Sequence, residues 1–222
     1  MHAAVHFEAP LLAIGDRLDE LRLLLGHLDV QTSHPRSAEL SQLGRAWTYV
    51  GLGAALEDYV RAFIDELTHS INRAKVPLAE LRLGIVSLVQ APAFDSVATR
   101  RRQEKWDKRA AILKFAASTD DAELAVGLRP LDGRTLRPGH LESLWSVYEL
   151  PGDPMPSALH AVALRDLSDG RNSVAHGTTN PASFGRSKAY IDVLRRIGHV
   201  EDIAIHIAAV GSIYLESQGY LR

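Results

Sequence analysis

Apolar residues recur along this chain at intervals of three and four, and almost nowhere at intervals of two. That is the period of helices with one buried face, not of half-buried strands. The first run is Leu11, Leu12, Ile14, Leu18, Leu21, Leu24, Leu25 and Leu28, with Asp16, Arg17, Asp19, Glu20 and Arg22 on its other side. It predicts an amphipathic N-terminal helix within residues 1–30. Thr32, Ser33, His34 and Pro35 break it, and Ser37 is placed to cap a long second helix from about residue 38 to about residue 69. The centre of that helix is apolar over a wide arc and holds Gly51, Gly53, Ala54 and Ala55. Such small residues let a neighbouring helix come close, so this helix is expected to be the buried centre of the fold.

Pro77 opens a short helix over residues 78–89, which Ala91 and Pro92 end. Asp95 or Ser96 then caps a helix to about residue 117, with Trp106, Ala110, Leu113 and Ala117 at the spacing of an inward face. Residues 118–140 are rich in turn formers and read as an irregular excursion between helices. Leu141, Leu144, Trp145 and Tyr148 mark the inner face of another short helix. After a Pro-rich turn, Ser157 caps a helix whose inward residues Leu159, Val162, Ala163 and Leu167 lead to Arg171. The stretch 178–187 reads as a polar, flexible loop. Ile191, Leu194, Ile197, Ile203, Ile207, Val210 and Tyr214 line a last helix between about 187 and 217. The class predicted is all-α, an antiparallel helical bundle with additional helices, in one domain over 1–222.

Composition narrows the function. The 222 residues are 46% hydrophobic and 23% charged, as in an ordinary soluble globular protein. A formal charge of −2 argues against binding nucleic acid over the whole surface, but permits a local basic patch. With no cysteine, disulfides, Cys-based zinc sites and thiol nucleophiles are excluded. There is no basic-then-apolar leader pattern and no apolar run of membrane-spanning length, so the expectation is a soluble, cytoplasmic protein with no membrane partner. One charge cluster stands out. Arg100, Arg101, Arg102, Lys105, Lys108, Arg109 and Lys114 face only Glu104 and Asp107 within residues 100–114, a surplus of five positive charges. Such a helix could grip RNA phosphates, with Trp106 either stacking on a base or packing inward. His199 and His206 lie seven apart with no third ligand at the right spacing, so no metal and no cofactor are expected.

The stretch that looks like chemistry is Arg171-Asn172-Ser173-Val174-Ala175-His176-Gly177. RNA carries its own nucleophile, the ribose 2′-hydroxyl. Cleavage needs a group that moves protons near neutral pH, which suits histidine, and a group that neutralises charge on phosphate oxygens, which suits the guanidinium fork. A five-residue step on a helix turns roughly 500°, so Arg171 and His176 point about 140° apart, and only a long arginine side chain could curl toward a shared groove. Asn172 is four residues before His176 and can hold its ring or a phosphate oxygen. Gly177 suits the positive φ that ends a helix, which leaves His176 in a final, partly open turn. Glu57 and Asp58 lie within the apolar stretch of the second helix, and a buried carboxylate needs a partner. Either could reach Arg171, or simply face water. The bland alternative for the motif is a surface ion-pair arginine and a histidine favoured by the helix dipole.

Arg171, Asn172 and His176 in this context resemble the Arg-x4-His motif of the HEPN superfamily, above all its RiboL-PSP-type and related toxin or defence branches. The resemblance implies an all-α bundle and a metal-independent endoribonuclease, with Arg171 and His176 catalytic and Asn172 supporting. It also implies a homodimer whose two Arg–His pairs meet in one cleft, and in some branches a cognate antitoxin or defence partner. Some relatives carry a modifiable tyrosine two residues after the histidine. Here that position is Thr178. The alternative function is a non-catalytic helical module that binds RNA or a protein through its basic helix.

Overall fold

The computed structural model describes residues 6–28, 35–99, 101–131 and 135–222. Among the described residues the chain is all-α, with nine α-helices, one 3₁₀ turn and no strand. The helices are α1 (Glu8–Leu28), α2 (Pro35–Ala74), α3 (Leu83–Val89), α4 (Ala91–Thr99), α5 (Arg102–Phe115), α6 (Pro138–Tyr148), α7 (Ala158–Ala175), α8 (Pro181–Arg186) and α9 (Tyr190–Glu216).

The long α2 is the axis of the fold, and α1, α7, α8 and α9 all pack on it. Two interleaved stripes cause this. Tyr49, Leu52, Leu56, Val60, Phe63, Leu67 and Ile71 form one, and Ala46, Ala55 and Tyr59 the other, all buried. An apolar arc that wide needs neighbours on several sides. On α1 the covered line is Ile14, Leu18 and Leu25, continued by Phe7 just before the helix and flanked by Leu11 and Leu21, whereas Leu12 and Leu24 are exposed. The strict alternation of three- and four-residue steps selects the face that meets α2.

Several boundaries differ from the sequence expectation, each for a local reason. The second helix begins at Pro35, so Ser37 lies inside it and is not its cap. Proline is tolerated in a first turn, where its missing N–H had no partner anyway. The same tolerance lets α4 run through Pro92, which therefore opens a helix and does not end one. The expected helix over 78–89 is instead a 3₁₀ turn (Leu78–Glu80) followed by α3, interrupted where Arg82 N–H bonds Tyr220 O and Leu81 pairs with Leu221. The basic segment is two helices, because Arg101 is extended at φ −66°, ψ 157°. On α7, Leu159 and Val162 are exposed, while Ala163, Leu164, Leu167 and Val174 are buried. Ser157 stands at the start of α7, but its hydroxyl meets His160 Nδ1 at 2.9 Å and makes no capping bond. On α9 it is Val193, not Ile191, that turns inward.

The expected loop at 178–187 is largely α8. Asn180 caps it through a bond from Ser183 N–H, Pro181 opens it, and the Phe184 ring meets Tyr49 edge-on at 5.0 Å. Between α5 and α6 the chain is irregular as expected, though residues 138–140 already belong to α6. This excursion is pinned down. Asn72 exchanges two hydrogen bonds with the Leu124 backbone, and Leu124 and Leu136 are buried.

Candidate active site

Arg171 lies near the end of α7 with its stem laid across Gly53 of α2. One turn along α2, Glu57 Oε2 stands 3.8 Å from Arg171 Nη2. Asn172 Oδ1 accepts from Arg171 Nη1 at 3.2 Å and from the Thr135 hydroxyl at 2.5 Å. The Leu136 backbone N–H reaches Glu57 Oε1 at 3.4 Å, and the Ser168 hydroxyl donates to Leu136 O. Arg171 is thus fixed where α2, α7 and the end of the excursion meet. Its side chain keeps 24% exposure, while its Nε is buried with no hydrogen-bond partner among the described residues. A guanidinium so held is oriented in advance of any ligand, which reduces the ordering cost of binding one.

The two carboxylates part company. Glu57 is the one that reaches Arg171, and it also faces Arg61 Nη2 at 3.8 Å. Asp58 does not. It pairs with Arg17 at 2.5 Å and Arg61 at 3.0 Å on the wet side of α2, and drops out as a support for the motif. One residue of register, about 100° of helix, makes the difference.

His176 is the cap residue just past the end of α7, with φ −92° and ψ 2°, and Gly177 follows at φ +69°. The carbonyls at this helix end are bonded by His176 N–H to Asn172 O, Gly177 N–H to Val174 O and Thr179 N–H to Ser173 O. The ring is exposed. Asn172 was expected to steady it. Instead its side chain is committed to Thr135 and Arg171, because the i, i+4 geometry allows the contact without requiring it. Among the described residues no hydrogen bond joins Arg171 to His176 within one chain. The motif therefore divides into a held cation and an open imidazole.

Sequence reasoning missed a cleft beside this knot, of about 280 Å³. Leu128, Leu131 and Leu136 give it apolar walls, and Glu57, Arg61 and His140 bring polar groups to it. His140, to which the sequence assigned no role, accepts the Arg137 backbone N–H at Nδ1 (3.0 Å), as a side chain does at a helix start. Arg61 was legible as the i+4 neighbour of Glu57. Nothing in the sequence pointed to Thr135.

Of the candidate RNA-gripping residues, Arg100 and the side chain of Arg102 lie outside the described residues. Arg101 and Arg109 are exposed, and Lys105 and Lys108 half-buried. Trp106 is 62% exposed, with the Arg109 guanidinium 5.0 Å above its ring. The inward face expected from Trp106, Ala110, Leu113 and Ala117 is contradicted. All four are exposed, and Ile112 is the buried residue of α5. Among the described helices it packs chiefly on α4, itself set against α3, which leaves most of its described face uncovered.

His206 stacks on Trp145 and meets Asp153 O at 2.8 Å. His160 and His199 pack edge-on at 5.2 Å. Among the described residues no group of three or more His, Asp or Glu side chains is arranged to hold a metal ion, and no helix is long and apolar enough to cross a membrane. No protein-family model, curated protein or solved structure matches the chain.

Proposed function

We propose that this chain is a metal-independent endoribonuclease of the HEPN kind, acting as a homodimer with an antiparallel bundle in each subunit. The observation that carries the reading is the division within the motif. Arg171 is held by Glu57, Asn172 and the bare backbone at Gly53, and the His176 ring stands open at the helix end. Those are the two states such chemistry needs: a preset cation for the phosphate and a reachable proton carrier.

One His176 takes the proton of the ribose 2′-hydroxyl as its oxygen attacks phosphorus. The 2′-oxygen–phosphorus bond forms and the phosphorus–5′-oxygen bond breaks. The second subunit's copy of that histidine returns a proton to the departing 5′-oxygen. The two Arg171 side chains neutralise charge on the non-bridging oxygens. The products are a 2′,3′-cyclic phosphate and a 5′-hydroxyl. In the toxin or defence setting that the resemblance implies, a cytoplasmic antitoxin or partner protein would hold the activity in check.

The test is cleavage of labelled single-stranded RNA in excess chelator. His176→Ala and Arg171→Ala should each lower the rate by about 10²–10⁴-fold, the range of one acid–base group. Equal cleavage by both variants and the parent would refute the assignment, and so would a protein that is monomeric in solution while active.

A second reading has its own observation, the exposed Trp106 with Arg109 stacked on it. In that reading α4 and α5 form an arm that binds RNA without cutting it. Salt-sensitive RNA binding that is unchanged at Arg171 and His176 but weakened about tenfold in Trp106→Ala, with no cleavage under any condition, would favour it.

A further inference from the structure

We infer that the cleft between α2 and the excursion seats a guanine base of the RNA, next to the scissile phosphate. This rests on the endoribonuclease reading for the identity of the polymer, but the base it selects follows from the cleft itself. About 280 Å³ is just below the roughly 300–1,000 Å³ that takes drug-sized ligands, so one base fits and little more does. The walls suit a flat aromatic ring: Leu128, Leu131 and Leu136 supply apolar faces.

The polar contents choose the base. Glu57 is 13% exposed, yet its polar neighbours among the described residues all stand off: 3.4 Å to Leu136 N–H and 3.8 Å to both Arg61 and Arg171. A satisfied carboxylate in such a place draws donors to about 2.7–2.9 Å. This one still has room for short bonds, and a carboxylate only accepts. Single-stranded RNA is read on the Watson–Crick edges of splayed bases. Guanine offers two adjacent donors there, N1–H and the 2-amino group, which match the two oxygens of one carboxylate. Adenine and cytosine offer one amino group beside a ring nitrogen acceptor, which a carboxylate repels. Uracil offers a single N–H between two carbonyls.

The opposite edge of guanine, O6 and N7, is the natural partner of a guanidinium. Arg61 is 42% exposed beside Glu57; its Nη1 bonds Asp58 at 3.0 Å, and its Nη2, 3.8 Å from Glu57, is the arm that can turn to that edge, whereas both arms of the Arg129 fork are held by Asp65 at 2.6 and 3.2 Å and serve as wall. Because Glu57 faces Arg171 as well, a base in the cleft would set its attached phosphate near that arginine.

The experiment titrates 3′-GMP, 3′-AMP, 3′-CMP and 3′-UMP into full-length His176→Ala protein by calorimetry, and maps where the parent cuts RNA. The expected result is 3′-GMP binding at least tenfold tighter than the others, with cuts confined to one side of guanosine. Leu131→Trp, which fills the cleft, should abolish the binding with the circular dichroism spectrum unchanged, and Leu128→Trp serves if that variant fails to fold. Glu57→Gln should remove the preference for guanine. Equal affinity for all four nucleotides, no binding, or binding indifferent to filled-cleft variants would overturn the inference. So would binding of free 3′-GMP while guanine in an oligonucleotide adds nothing, since a free nucleotide would then be the occupant. Cutting without preference for guanosine would sink this inference alone and leave the nuclease standing. Selective guanine binding to a protein that never cuts RNA would sink the nuclease alone.

Discussion

Arg171 rests on Gly53: a Cβ at residue 53 would meet Arg171 Cγ at 2.9 Å. Real Cβ atoms do not sit that close to a neighbour, and Cγ is near the root of the side chain, so the arginine would have to move. Gly53→Ala gains about 1 kcal/mol of helix propensity and loses about 1–3 kcal/mol to overpacking. Stability should therefore fall by about 0–2 kcal/mol, leaving the protein folded, while a displacement near 1 Å at the cation should cost about 10²-fold in RNA cleavage. Melting temperature and single-turnover rate, measured on the same preparation, separate the two effects. An unchanged rate would mean that the position of Arg171 is unimportant.

Neighbouring carboxylates on α2 should behave unequally. Glu57 is nearly covered and lies between two guanidiniums, while Asp58 is 51% exposed in pairs with Arg17 and Arg61. Asp58→Asn should cost about 0–1 kcal/mol, as exposed ion pairs do, with cleavage intact. Glu57→Gln leaves Arg61 and Arg171 facing each other without their shared anion. It should cost about 1–3 kcal/mol and lower the cleavage rate as well. Chemical denaturation of the two variants against the parent tests this, and equal losses would remove Glu57 from the site.

Acid should unfold the protein in two stages. Burial alone would raise the Asp166 carboxyl. Hydrogen bonds from Lys188 and Tyr49, with the charges of Lys188 and Arg196, outweigh that and hold it below its usual range. Burial, together with the charges of Arg196 and His160, holds His199 below its usual 6.5. Both groups bind protons more weakly folded than unfolded, so both give stability that is present at neutral pH and lost as pH falls. The His199 loss should begin near pH 6.5 and the Asp166 loss below about pH 4. Melting curves across pH should show a loss setting in near pH 6.5 that is reduced in His199→Gln, and a loss below about pH 4 that is reduced in Asp166→Asn. Identical profiles in parent and variants would contradict this.

What the sequence made legible tracks how much each feature depends on distant parts of the chain. The helices with long repeats, α1, α2, α6, α7 and α9, were visible because their period is local. Which apolar residues of α1 turn inward was not, since Leu12 and Leu24 fall on the edge of an arc wider than α2 covers. Six-residue α8 is too short to show a period, although Asn180-Pro181 carried the signature of its start. The positive φ at Gly177 followed from residue type, a glycine at a helix end, whereas the apolar run offered both Glu57 and Asp58 to Arg171 and left open which, if either, reaches it. Thr135 and the cleft arise where the excursion folds back on α2, and no spacing rule reaches that far.

Helical spacing placed Trp106 inward on the assumption that a partner helix lay opposite, and among the described helices α5 packs chiefly on α4. Trp106 is left 62% exposed under Arg109. Trp106→Ala should change stability by no more than about 0.5 kcal/mol, as surface substitutions do. If the ring stacks on a base, the same change should weaken single-stranded RNA binding by about tenfold, because such stacking contributes roughly 1–3 kcal/mol per base. Removing Lys105 or Arg109 should instead flatten the dependence of log affinity on log salt by about 0.7 for each phosphate no longer neutralised. Filter binding at several salt concentrations distinguishes the two contributions. A Trp106→Ala protein that unfolds would restore the inward packing, and one that binds RNA as well as the parent would leave the arm with no part in gripping it.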